Sequence, residues 1–191
     1  MRKVKYLLII VMLFCCGCVK KGTSTVGEKL FFAIEQNNFE AVKECLKDSE
    51  LNLEDLGIGD TTIFSNKKDK RALVLAMDAL STKDGEDIPI LLINAGAKIE
   101  NHGDNTSYLK EAVANGNLKL TKTLIEHGAD VNKYVKDEEG LEMTSFQMSY
   151  ARSSKKIVLY LKKHGGDTTI KDSDGRSCKK IAQDAGADWN R

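Results

Sequence analysis

The stretch Leu118–Asn132, LKLTKTLIEHGADVN, limits the fold more than any other part of this chain. Leu120, Leu124 and Ile125 fall at helical spacing with Lys122 among them, and Gly128 follows, a residue suited to a left-handed helix C-cap. The apolar stripe is narrow and the helix short, so it cannot bury its own face and needs similar helices stacked on either side.

The neighbouring copies are present. Small residues recur at Ala33, Ala76, Ala112, Ser149 and Ala182, separated by 43, 36, 37 and 33 residues. Each is followed by a second apolar segment: Phe39–Leu46, Ile88–Ile93, Leu118–Ile125, Ile157–Lys163 and a clipped copy around Ile181 and Gly186. Ser107–Asn117 with His127-Gly128-Ala129-Asp130-Val131-Asn132 resembles an ankyrin repeat, whose period is about 33 residues. The resemblance implies an all-α ankyrin-repeat solenoid of helix-turn-helix units with projecting loop or hairpin fingers, four repeats plus a partial fifth over residues 27–191. Excess spacing is assigned to insertions at Gly59–Lys70 and Ser81–Glu86. No copy carries the proline of the family's Thr-Pro-Leu-His motif, and the first copy lacks its closing glycine near Lys47–Glu50.

Upstream, Arg2, Lys3 and Lys5 precede the apolar run Tyr6–Phe14, which is too short to span a bilayer and fits a signal-peptide core. Cys15-Cys16-Gly17-Cys18 resembles a bacterial lipobox, although Cys15 stands where leucine is usual. The resemblance implies a lipoprotein signal over residues 1–17, lipidation at Cys18, and a polar tether to residue 26. Multiple acyl chains give a stable membrane anchor where one gives a marginal anchor. Val19 after the cysteine implies outer-membrane retention, so the expected location is the bacterial envelope, lipid-anchored and facing the periplasm.

Cys45 and Cys178 then remain in an oxidising setting, but they fall in the first and last repeats, beyond disulfide reach if the repeats stack. Cys45 is expected in the core, and Cys178, at the motif proline's place, partly exposed. The termini need polar outer faces, which Lys179 and Lys180 supply, with Trp189 folded on the last helix.

Chemistry is sparse. His127 and His164 share one repeat position, and His102 has no second ligand at metal spacing. Asp172-Ser173-Asp174-Gly175 hints at a calcium loop without the downstream glutamate, so turn chemistry is the better reading. There is no phosphate loop or serine elbow. No enzyme activity, catalytic residue, metal or cofactor is expected. A net charge of +1 argues against a nucleic-acid partner.

What remains is a surface. By resemblance, fingers carry Asn52–Asp60, Glu100–Asp104, Lys133–Gly140 and Lys171–Gly175, and first helices present a concave face. The expected protein-binding residues are Gln36, Asp78, His102, Asn115, Tyr134 at a finger tip, and Arg152. Exposed tyrosine and arginine often dominate interface energy. Small ankyrin-type lipoproteins resemble immunity or accessory proteins, so the expected partner is one protein, a secreted toxic effector such as a lipase. The alternatives are a structural lipoprotein stabilising a housekeeping enzyme, and a small-molecule or enzymatic scaffold with a pocket beneath the Gly59–Lys70 insertion.

Overall fold

The computed structural model describes residues 26–48, 51, 72–78, 87–99, 107–136, 140–152 and 154–187. The expectations for Cys18, His102, Trp189 and both insertions lie outside these residues.

The described elements form helix hairpins in sequence: α1 (Val26–Glu35) with α2 (Phe39–Cys45), α3 (Ala72–Asp78) with α4 (Asp87–Asn94), α5 (Tyr108–Ala114) with α6 (Leu118–Glu126), and α7 (Ser145–Ala151) with α8 (Lys155–Lys163). Helix α9 (Cys178–Asp184) follows. First helices pack on first helices, α1 on α3, α5 on α7 and α7 on α9, while second helices pack as α2, α4, α6 and α8 in turn. Strands β1 (Tyr134–Lys136) and β2 (Glu142–Thr144) pair antiparallel, with Tyr134 opposite Thr144 and Lys136 opposite Glu142.

Local chemistry explains these short helices. Asn38, Ser107, Asn117, Thr144 and Ser177 each cap a helix by accepting an amide hydrogen bond from the first turn. Thr144 and Gln147 complete a reciprocal capping box. The small-residue register marks where each first helix ends. The amides of Asn38, Asn117, Ser154 and Ala187 donate to the carbonyls of Ala33, Ala112, Ser149 and Ala182, closing the turn through a left-handed residue at Asn37, Gly116 and Gly186 in three of the four. Second helices repeat the device, with Ala97, Ala129 and Gly166 donating to Leu92, Leu124 and Leu161. The first unit departs from it. After α2 the Asp48 amide donates to the Cys45 carbonyl, three residues back, as the missing glycine implies.

No described helix is long enough to be stable alone. Stability comes from one apolar cluster running from Leu30 through Leu92, Leu120 and Phe146 to Cys178. Every unit contributes to it, so each buries what its neighbour would expose. Cys45 and Cys178 are unpaired, as their separation implies. Their burial differs from expectation. Cys178 is buried at 3 % exposure, and burial pushes its thiol up to about 11. Cys45 lies half-buried at the edge of the cluster. Cys178 points inward because it occupies the first position of α9, beside α7, and the outward side is left to Lys179 and Lys180. Both lysines are exposed, and Lys180 pairs with Asp184 at 2.6 Å, giving the polar end that the last unit needs.

Candidate functional site

The expected contact residues that fall within the described residues do not gather at one place. Gln36, Asn115 and Arg152 are exposed and occupy the same position in three units, the residue after the first helix. Asn115 and Arg152 cap α5 and α7, which pack together, so these two form adjacent points of one row. Asp78 is the last residue of α3, the counterpart of Glu35, Ala114 and Ala151 rather than of this row. The exposure of Gln36, Asn115 and Arg152 follows from local geometry: the chain leaves the helix here, so the side chain faces solvent.

Tyr134 lies elsewhere. It sits at the base of the hairpin, opposite Thr144, rather than at the tip. Thr144 precedes α7 and Arg152 follows it, so the two sites are separated by the length of that helix, about 10 Å at 1.5 Å per residue. Tyr134 is 48 % exposed, and its hydroxyl donates to the Lys171 carbonyl of the next finger. The ring is a surface residue, but its polar end already ties two fingers.

That bond belongs to a ladder between successive units. The Asn132 side chain donates to the Gly165 carbonyl at 2.8 Å and accepts from the Asp167 amide at 3.0 Å. Ser173 and Glu142 exchange two bonds of 3.0 Å. Lys110 Nζ donates to the Val135 carbonyl at 3.0 Å, and Gln147, in the equivalent place one unit later, donates to the Ile170 carbonyl at 3.0 Å. Lys110 is buried, and a buried ammonium is tolerated where its protons meet acceptors. The hairpin and the Lys171–Ser177 turn are therefore braced against each other. A preformed surface loses less entropy on binding than loose loops do.

In the Asp172-Ser173-Asp174-Gly175 turn, the Asp172 carboxylate is satisfied by its near neighbours. Asp172 accepts from the amides of Asp174 and Arg176 at 3.1 and 2.7 Å and from Arg176 Nε at 2.8 Å. That bond holds the Arg176 guanidinium above its ordinary value. The carboxylate is occupied by turn partners, which agrees with a turn reading of this segment. His127 and His164 cap α6 and α8 and are exposed. Among the described residues no group of three His, Cys, Asp or Glu side chains is placed to hold a metal ion. No described helix is long and apolar enough to cross a membrane.

A sequence reading confined to one unit missed Phe146 and Gly166. Phe146 is fully buried, and a Cβ on Gly166 would stand 2.8 Å from its ring. The signal was available: where two other units read Gly-Ala, this one reads Gly-Gly.

A comparison with family models matches the ankyrin repeat at residues 108–136, from the start of α5 to the end of β1. No curated protein matches the chain. The match supports an interaction module whose partners are proteins.

Proposed function

We propose that this chain is an ankyrin-type solenoid that binds one protein partner through the exposed row on its first helices, with the braced fingers as a second contact. The observation that carries this reading is the adjacency of Asn115 and Arg152, exposed on packed helices α5 and α7 and repeated in kind by Gln36. A rigid scaffold offering one variable side chain per unit suits recognition of a folded protein surface, with arginine as the energetic anchor. In this reading the chain is a lipoprotein held at the outer membrane through Cys18, and its partner is a toxic effector such as a lipase, which it neutralises in the periplasm. The lipobox-like Cys15–Cys18 run supports the anchor, and the resemblance of small repeat lipoproteins to immunity proteins suggests the partner.

A pull-down from envelope extract tests it, with the lipidated chain and the Cys18→Ser form as parallel baits. One stoichiometric hydrolase or toxin on both baits is the expected result. Companions that appear only on the lipidated bait would mean that the anchor explains the association, and the effector reading would fall. With a partner in hand, Arg152→Ala should weaken binding by about tenfold or more, the scale of an interface anchor. Unchanged affinity for Arg152→Ala and Asn115→Ala together would remove this row as the binding face.

A further inference from the structure

Helix α8 carries an outward face unlike that of any other described helix. Lys155, Lys156, Leu159, Lys162 and Lys163 recur at spacings that place them on one side, and all five are exposed. Leu159 has the largest exposure of the exposed large hydrophobic residues, 59 %. The helix contains no acidic residue. Its neighbours in the same layer do not share this pattern. Helix α2 mixes Glu40, Lys43 and Glu44, and α6 sets Lys119 and Lys122 against Glu126. Where α8 has Leu159, α6 has Lys122 at the equivalent position.

Helix stability does not account for the lysines. Lys162 and Lys163 suit the negative end of the helix dipole, but Lys155 and Lys156 stand in the first turn, where cations are unfavourable. Ser154 makes no side-chain capping bond there to compensate. Core packing does not account for Leu159 either, because α8 buries Ile157, Val158 and Leu161 against α6 and α7 on its other side. Lys122, over the Tyr160 ring at 5.6 Å, extends the positive field, with Glu126 near the same ring as the opposing charge.

We propose that this face of α8 is a contact surface for an anionic lipid bilayer. Lysines flanking a solvent-facing leucine match the chemistry of an interfacial helix, with ammonium groups among headgroup phosphates and the apolar residue at the acyl boundary. Each lysine near such a surface strengthens binding about fivefold. Helix α8 lies in the second-helix layer, while Asn115 and Arg152 close first helices, so a bilayer and a protein partner can be held together. The contact does not depend on lipidation at Cys18 or on the partner's identity, and its failure would leave the protein-binding reading intact.

The test is vesicle co-sedimentation of the full Cys18→Ser chain, with phosphatidylglycerol or phosphatidylcholine vesicles, beside the same chain carrying Lys156→Gln, Lys162→Gln and Lys163→Gln. The unsubstituted chain should prefer phosphatidylglycerol, and the triple variant should lose at least about tenfold of that preference with an unchanged urea midpoint. Leu159→Trp should add a blue-shifted fluorescence component with phosphatidylglycerol vesicles alone. Equal binding to both lipids would overturn the proposal. So would an undiminished preference in the triple variant, which would assign the charge effect to Arg2, Lys3 and Lys5. A lost preference without a blue shift would also overturn it and would point to an acidic macromolecule as the ligand.

Discussion

The third unit (α5 and α6) and the fourth (α7 and α8) perform the same task with different residues. Both bury a large residue at the same point of the first helix, Leu109 in one and Phe146 in the other. Both send a side chain from the next position to a carbonyl of the following finger, Lys110 in one and Gln147 in the other. The third closes with Ala129 and the fourth with Gly166, and the larger ring and the smaller closing residue belong together. The third caps its second helix through Asn117 Oδ1 at 2.9 Å, while Ser154 makes no such bond. The family model matches the third unit and the start of the hairpin, residues 108–136. The difference teaches that the fold constrains pairs of residues more tightly than single ones. A unit can leave the consensus when two positions change in concert.

Six substitutions at five positions probe this comparison. Phe146→Ala should have the largest effect, lowering stability by about 3–5 kcal/mol in urea unfolding, because it removes a fully buried ring that adjoining units share. A loss near 1 kcal/mol would mean that the ring is dispensable and the units are not equivalent. Gly166→Ala should cost about 1–3 kcal/mol, since its new methyl meets the ring. Adding Phe146→Leu should recover part of that loss, and a double-mutant cycle reads the coupling directly. Strict additivity would break the claim that the two positions changed together. Asn117→Ala should cost about 1 kcal/mol as a lost cap, while Ser154→Ala should stay within about 0.5 kcal/mol. Equal losses would erase the contrast between the two caps. The last effect should be a gain. Ser145 is the first residue of α7, its hydroxyl is buried without a hydrogen-bond partner among the described residues, and Thr144 before it is extended at ψ 162°. Ser145→Pro supplies the motif residue that the sequence lacks and should add about 0.4–1 kcal/mol by restricting the unfolded chain. A shifted urea midpoint with an unchanged slope would confirm it.

Much of the fold could be read from local patterns. The recurrence of Ala33, Ala112, Ser149 and Ala182 located the carbonyls that close the first helices, because a left-handed turn imposes its residue choice within a few positions. Gln36, Asn115 and Arg152 were legible as surface residues for the same reason. Tyr134 was legible only in part. Its exposure fits an amphipathic ring, but its hydroxyl partner lies 37 residues away. No pattern within one unit announces a bond to the next.

The sequence by itself determined the period, the glycine stop of a second helix at Gly128 and the polar C-terminal face of α9. Each of these rests on hydrogen bonds and charge placement within a single turn or unit, where spacing along the chain equals spacing in space. Only the tertiary structure decided that Phe146 pairs with Gly166, that Lys110 and Gln147 brace successive fingers, that Cys178 turns inward, and that Tyr134 and Arg152 lie at opposite ends of α7. Those outcomes depend on how one unit meets its neighbour, and the shape at that junction is set by residues distant in the chain. The exposed lysine and leucine face of α8 emerged in the same way, because a helix shows its outward side only once its inward side has been packed.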